Sequence, residues 1–489
     1  MSWLFNIFSS LIPKSQFSKN IAKMAGGTGL GQVLLVLATP ILTRLYDPHE
    51  FGVFFLFVSV LGVFGVVSSL RYSFAIPLPK DDETAINLLV LSLAVVLLLS
   101  CLIGGGLWVF WDWFVTSFKV FQLKPYFWFV PLGVFTFGTF QVFQFWAIRK
   151  KAFGKLGYAK FYQAFAILFT QILLGIKEFG PAGLIIGQII GQALGIFWLS
   201  RLIFGKDKIA NFANIRTVVR VARRYRKFPL VSSFSGLINT LSSEVPILFI
   251  SFFFGPAVVG LYGLGYRVLQ TPASLISQAI AHVFYSTAAE KIHSGVPIGT
   301  IIKSILPRLV QICFLPFVLI GLAAPELFSI IFGDQWKDAG IYAQWMSPWV
   351  FFTILSNSFS FIPSLVEKQE FDLIFHSWML ITRIIALSIG VVFQSPTLSI
   401  FLLAFFSSIN LSAFIFWVMR FSKVNIADML RSIFDEILSM VPFMLPLILL
   451  KVVGHEKTNY DIFVAALYIL SGSLWGFRLF RRFKQERFF

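Results

Sequence analysis

The sequence predicts an all-α polytopic membrane protein of about fourteen transmembrane helices, built as two six-helix lobes related by a parallel repeat plus two C-terminal helices. Three observations carry this. Apolar residues make up 57% of the 489 residues while Asp, Glu, Lys and Arg make up only 13%, and mean hydropathy is +0.82. A soluble chain carries roughly a quarter charged residues, so a soluble enzyme, a disordered chain and a disulfide scaffold are excluded. The apolar residues fall in runs of about 20, the length that crosses a bilayer core. Finally, landmarks in the first half recur in the second at a fixed offset.

Residues 1–19 open the chain with Trp3, Phe5, Phe8 and Phe17 beside Lys14 and Lys19. This amphipathic mixture reads as an interfacial segment on the cytoplasmic leaflet, and no signal-peptide cleavage pattern accompanies it. Apolar runs at 20–43, 51–76, 86–111, 125–148, 158–176 and 181–204 form the N-lobe, 20–204. Residues 205–227 form a basic cytoplasmic linker. Runs at 228–253, 258–284, 299–323, 341–366, 371–393 and 397–420 form the C-lobe, 228–420. The last segment, 421–489, holds short runs at 437–453 and 461–480 and a basic tail; the first of these is broken by Pro442 and Pro446.

Lys and Arg set the orientation. With the N-terminus inside, the cytoplasmic side receives the 149–160 cluster, the linker with Arg216, Arg220, Arg223, Arg224 and Arg226, and the tail with Arg478, Arg481 and Arg482. Both termini are therefore expected in the cytoplasm. The net charge of +18 is explained by topology and by contacts with anionic membrane lipids. Nucleic acid is not an expected partner, because the basic residues flank spans without an aromatic base-stacking platform. Cys101 and Cys313 lie in apolar runs, so neither a disulfide framework nor a metal cluster is expected, and no cofactor is implied.

The repeat is seen by laying 45–54, LYDPHEFGVF, over 253–262, FFGPAVVGLY. Pro48 meets Pro256, Gly52 meets Gly260 and Phe54 meets Tyr262. Both segments read as tight outer turns, with Pro opening the turn and Gly allowing the next helix to pack closely. An even number of spans per repeat makes the two halves parallel, and in such transporters the substrate path runs between the lobes. Gly183, Gly187, Gly191 and Gly195 form a small-residue stripe for helix packing, as do Gly27 and Gly31. The string GGTGLGQ (26–32) opens no βαβ unit and is not a dinucleotide loop.

An ionisable group in the bilayer core costs at least roughly 2.5–3.5 kcal/mol, so each requires a reason. Arg267, Arg308 and Arg383 lie near mid-span, Arg71 and Lys303 nearer the inner ends, and Glu244 in an outer half. Cations outnumber acids at depth, which disfavours a cation exporter and suits an anionic phosphate or diphosphate that an Arg fork can grip. Arg267, Arg71 and Arg308 are the candidate substrate-binding cations. Glu244 is the candidate ion-coupling residue or the partner of a buried Arg. Gln32, Asn239, Gln270, Gln278 and Asn357 are candidates for a glycan path or for interhelical hydrogen bonds, and His282 reads as a packing residue.

Three motifs, TRLYDPHEFGVF (43–54), LRYSFAIPLPKDDE (70–83) and FGDQWKDAG (332–340), resemble the bacterial oligosaccharide flippase family. That family belongs to the multidrug/oligosaccharidyl-lipid/polysaccharide (MOP) exporter superfamily and includes O-antigen unit translocases. The resemblance implies two bundles in a V around a cavity lined by spans one, two, seven and eight. It implies a non-enzymatic flippase that moves undecaprenyl-diphosphate-linked oligosaccharide from the inner to the outer leaflet of the bacterial inner membrane. On that layout Arg71, Glu244 and Arg267 reach the cavity, while Arg308 and Arg383 lie behind it. The polysaccharide polymerase machinery becomes an expected partner. Spans thirteen and fourteen resemble the extra pair of lipid II flippases, where they form a lipid-side groove. Lipid II as substrate, and a drug/cation antiporter of the same superfamily, are the alternative readings.

Overall fold

A computed structural model describes residues 16–119, 121–204, 214–293, 298–360, 362, 369–453 and 460–485. The expected interfacial segment and the start of the linker lie mostly outside these. Each predicted apolar run falls largely on helix among the described residues. Among the described residues, nine helices are by themselves long and apolar enough to cross a membrane, and one bent pair adds a tenth. The protein is a multi-pass, all-α membrane protein. Contacts divide the chain into two compact units, one ending at Gly260 and one beginning at Leu261.

The first unit holds α1 (Gln16–Leu37), α2 (Thr39–Leu45), α3 (Pro48–Val67), α4 (Asp82–Phe118), α5 (Phe129–Arg149), α6 (Phe153–Ile176), α7 (Pro181–Phe204), α8 (Ile215–Arg224) and α9 (Ser233–Phe254). Asp47 caps α3: its carboxylate accepts from the Glu50 N–H at 2.8 Å, and Glu50 accepts from the Asp47 N–H at 2.9 Å. With Pro48 in the first turn, this reciprocal box fixes where the span starts. At 37 residues, α4 is roughly 55 Å long, far more than a bilayer core needs. It kinks at Phe110, where the predicted run ends, and beyond the kink the exposed Asp112 pairs with Lys124 at 3.4 Å.

The predicted glycine stripe packs α7 on its neighbours. Gly183 lies against Tyr46, Gly187 against Gln171, Gly191 against Ile167 and Gly195 against Phe140. Tyr46 donates to the Gln171 carbonyl at 2.6 Å, which satisfies its buried hydroxyl. Gly27 and Gly31 bring α1 onto α6 at Gly157 and Ala164. The helix α9, which opens the second half of the sequence, packs on α3, so the first compact unit extends past the linker.

The second unit holds most of α10 (Pro256–His293), then α11 (Ile298–Phe332), α12 (Lys337–Ser358), α13 (Gln369–Val392), α14 (Pro396–Phe421), α15 (Ile426–Leu438), α16 (Val441–Val453) and α17 (Tyr460–Gln485). The FGDQWKDAG motif forms a tight turn between α11 and α12. Gly333 takes φ 104°, a conformation that glycine adopts without strain, Asp334 accepts from Ser329, and Trp336 is fully buried. Gly340 then lets α12 press against Ala324 and Pro325 of α11. The thirteenth run is not one straight span: α15 and α16 meet at 57° around Ser439 and Met440. The thirteen residues of α16 reach only about 20 Å. The C-terminal helices dock on α11 through Leu315, Leu319 and Ala323 against Met440, Met444, Leu447, Val464, Trp475 and Leu479.

Candidate functional site

In the first unit the polar groups gather along the seam of α3 and α9. Past α3 the chain turns through Leu70 and Arg71, both with positive φ, into a short 3-10 segment, Tyr72–Ala75. Arg71 is half-buried, lies over the Phe74 ring at 4.7 Å and presses its guanidinium against Gly236 of α9. Any side chain at 236 would collide with it. Its Nε is buried without a hydrogen-bond partner among the described residues.

Glu244 lies eight residues further along α9. Its carboxylate rests on α3 at Gly62, where a methyl group would stand 3.3 Å from Oε1. No cation reaches it among the described residues. Pro246 follows two residues later and leaves the Ser242 carbonyl outside the helical ladder. Ser235, Asn239 and Ser243 are exposed at helical spacing, a polar stripe unsuited to hydrocarbon. Gln32 sits on α1 with a buried, unsatisfied amide oxygen.

In the second unit Arg267 lies on α10, about 17 Å from the helix start at Pro256. It is half-buried, and no acid reaches it among the described residues. Gln270 and Ser274 follow on the same face, one and two turns on. The amide oxygen of Gln270 is also buried and unsatisfied. A half-buried cation one turn from an orphaned acceptor is a polar surface lacking its complement. The side chains of Gln278 and His282 lie outside the described residues. Lys303 and Asn357 are exposed and Arg308 is half-buried.

Arg383 differs from Arg267. Only 6% exposed, it lies over the Trp349 ring at 5.4 Å; Trp349 stacks on Tyr266, and Tyr266 on Tyr262. Its charge is held by aromatic faces inside the unit. No group of His, Cys, Asp and Glu among the described residues has the arrangement of a metal site. An open apolar groove of about 330 Å³ lies between α11 and α17, lined by Leu315, Pro316, Leu319, Tyr468, Ile469 and Trp475.

A family model described as "Polysaccharide biosynthesis protein" matches residues 41–340, more than half of the chain. The chain belongs to the polysaccharide biosynthesis protein family. No curated protein sequence matches this family member. Among solved structures, it is similar to the lipid II flippase MurJ in an inward closed conformation, with a TM-score of 0.73, 12% identity, and coverage of 94% of this chain and 99% of the other. A MATE-family multidrug resistance transporter in an outward-facing conformation gives a TM-score of 0.51 at 16% identity, covering 84% and 96%. A MOP-superfamily transporter from Pyrococcus furiosus, described with a binding pocket of reverse polarity, gives 0.55 at 15%, covering 84% and 97%. At such identities the likeness shows the fold, which is the exporter fold expected from the motifs.

Two arrangements in this polysaccharide biosynthesis protein were not read from its sequence. Arg149, counted there as a topology charge, is a clasp for the second motif. It donates to the carbonyls of Ile76, Pro79 and Asp81 and to the Asp82 carboxylate at 2.8 Å, with its side chain only 9% exposed. The neighbouring Asp81 caps α4 by accepting from the Thr84 N–H at 2.7 Å, and the hydrogen bonds from Thr84 hold its carboxyl below the usual range. Glu326 lies three residues past the predicted ninth run, 299–323, and α11 continues through it. It is buried and pairs with Lys451 of α16 at 3.4 Å, so it is an acid held within the second unit. The signal available in the sequence was the apolar continuation to Phe332.

Proposed function

We propose that this protein is a flippase for undecaprenyl-diphosphate-linked oligosaccharide units. It carries them by alternating access from the inner to the outer leaflet of the bacterial inner membrane, for surface polysaccharide such as O-antigen or exopolysaccharide. The observation that carries the proposal is Arg267, a half-buried cation about 17 Å into α10 without an acid partner among the described residues, one turn from the unsatisfied Gln270. An uncompensated cation at that depth calls for an anionic ligand, and a diphosphate matches the guanidinium fork. Membership in a polysaccharide biosynthesis family supplies the class of cargo.

In this reading Arg71 is a second phosphate contact nearer the inner surface. The exposed stripe of Ser235, Asn239 and Ser243 offers hydroxyls and an amide to sugar. Glu244 is the coupling residue, since a carboxylate with no fixed cation among the described residues can exchange a proton or a metal ion. The apolar groove of α11 and α17 suits a prenyl chain. Both termini and the basic clusters face the cytoplasm and its anionic lipids, and the polymerase machinery receives the product outside.

The test uses purified protein in liposomes carrying labelled undecaprenyl-diphosphate oligosaccharide, with an external glycosidase reporting exposure of the label. Wild type is expected to expose it, Arg267→Ala to fail, and Arg267→Lys to recover only in part. Wild-type flipping by Arg267→Ala removes the docking assignment. Absence of flipping together with efflux of a fluorescent organic cation replaces the proposal with the antiporter reading.

A further inference from the structure

The segment following α7 was expected to be a basic linker, yet α8 is built into the first unit. Val221 is buried in the same core as Tyr72, Ile76, Ile86 and Trp146. Two hydrogen bonds fix the helix at both ends: the Asn214 N–H donates to Asn87 Oδ1 at 3.1 Å, and the Tyr72 hydroxyl donates to the Ala222 carbonyl at 3.3 Å. Tyr72 is the residue next to Arg71, so α8 touches the turn that presents Arg71 to Gly236.

Helical spacing gives α8 three sectors. Val218, Val221 and Ala222 face the protein. Arg216, Arg220 and Arg223, at i, i+4 and i+7, are all exposed on another sector. Between these sectors Ile215 and Val219 are apolar and also exposed, at 77% and 49%. A helix serving only as a solvated connector has no reason to expose an apolar edge beside an arginine row. A helix lying in a membrane interface requires both: the apolar edge enters the acyl boundary while the arginines meet phosphates. Only three residues, Tyr225, Arg226 and Lys227, separate α8 from the apolar run that opens at Phe228, which keeps it at that surface.

We infer that α8 is a docking site for anionic phospholipid headgroups, and that its occupancy steadies the Arg71 turn through the Tyr72 to Ala222 hydrogen bond. The occupant is a lipid of the leaflet, because the apolar edge next to the arginines has a use for acyl chain and none for a bare anion. The binding step is independent of the flippase reading. Only the consequence for Arg71 in transport rests on it.

The experiment measures retention of phosphatidylglycerol by the intact protein in detergent, by native mass spectrometry. It also measures hydrogen exchange in vesicles of phosphatidylcholine with and without phosphatidylglycerol. Wild type is expected to retain phosphatidylglycerol, and the anionic lipid is expected to slow exchange in both α8 and residues 70–76. The variant Arg216→Gln/Arg220→Gln/Arg223→Gln is expected to bind roughly a hundredfold more weakly, the scale set by three basic residues near an anionic surface. Ile215→Ser/Val219→Ser is expected to weaken binding with every charge intact. Tyr72→Phe is expected to keep the lipid but lose the slowing at 70–76. Equal binding by the arginine variant, equal protection in phosphatidylcholine alone, or full displacement by inorganic phosphate overturns the lipid site. Slowing confined to α8 overturns the link to Arg71. Loss of flipping with lipid retention intact counts against the transport proposal and leaves the site standing.

Discussion

Gly52 and Gly260, equivalent residues of the internal repeat, pack on each other's turns. Gly52 rests on the Pro256 carbonyl, and Gly260 rests on the Pro48 carbonyl. Each proline opens the helix in which its glycine sits four residues later, so the contact is reciprocal, like an isologous interface folded into one chain. A side chain on either glycine would overlap the opposite backbone. We expect Gly52→Ala and Gly260→Ala each to destabilise the protein by about 1–3 kcal/mol, the cost of overpacking a tight contact. Gly105→Ala, at a helical position with open space around it, is expected to be neutral or mildly stabilising. Thermal unfolding in detergent distinguishes the three.

Gly236 leaves room for the Arg71 guanidinium, which is the movable end of a long side chain. Gly236→Ala is therefore expected to displace Arg71 at a stability cost below about 1 kcal/mol, since a flexible group can yield. Flipping should fall toward the level of Arg71→Ala, and the double variant should be no worse than either single one. Additive losses would show that Gly236 acts by another route.

The clasp of Arg149 gathers three carbonyls and one carboxylate. Arg149→Ala is expected to cost on the order of 3 kcal/mol, from charged hydrogen bonds lost and carbonyls left unpaired. Arg149→Lys should recover only part, because a point charge cannot fork. Faster hydrogen exchange over residues 76–82 is the local signature to measure.

Glu326 and Lys451 join α11 to α16. Removing one partner strands the other, so Glu326→Gln is expected to cost on the order of 3 kcal/mol and to raise protease sensitivity between α15 and α17. Glu326→Gln with Lys451→Met should restore most of the loss. If the double variant were as unstable as the single, the pair would not be the fastening.

Arg267 and Arg383 should separate function from stability. Arg267→Ala is expected to abolish flipping with little change in unfolding temperature. Arg383→Ala is expected to lower the unfolding temperature, because the cation packed over Trp349 is part of the core.

The fold class and the positions of the helices were legible because the bilayer imposes a length and a polarity on every span, and both are local properties of sequence. The repeat was legible because Pro48, Gly52, Pro256 and Gly260 are conformationally specialised residues whose spacing survives where other similarity has gone. Their contact was not legible, since equivalence in a repeat does not state that the equivalent parts touch. Depth alone did not separate Arg267 from Arg383; only the family resemblance put Arg383 behind the cavity, without saying what would hold its charge. The aromatic faces contributed by α10 and α12 supply that reason.

What the sequence determined by itself was the membrane class, the order of the helices, the two Pro/Gly turns of the repeat, and Arg71 and Arg383 among the charged residues that need a reason to be buried; Arg149 and Glu326 joined that set only in the structure. What the tertiary structure decided was the reason for each. Arg149 binds carbonyls, Arg383 lies over Trp349, Arg71 rests on Gly236, and Glu326 meets Lys451. The physical cause is range: hydropathy and turn chemistry act within a few residues, whereas the partner of a buried charge is fixed by packing between helices far apart in the chain.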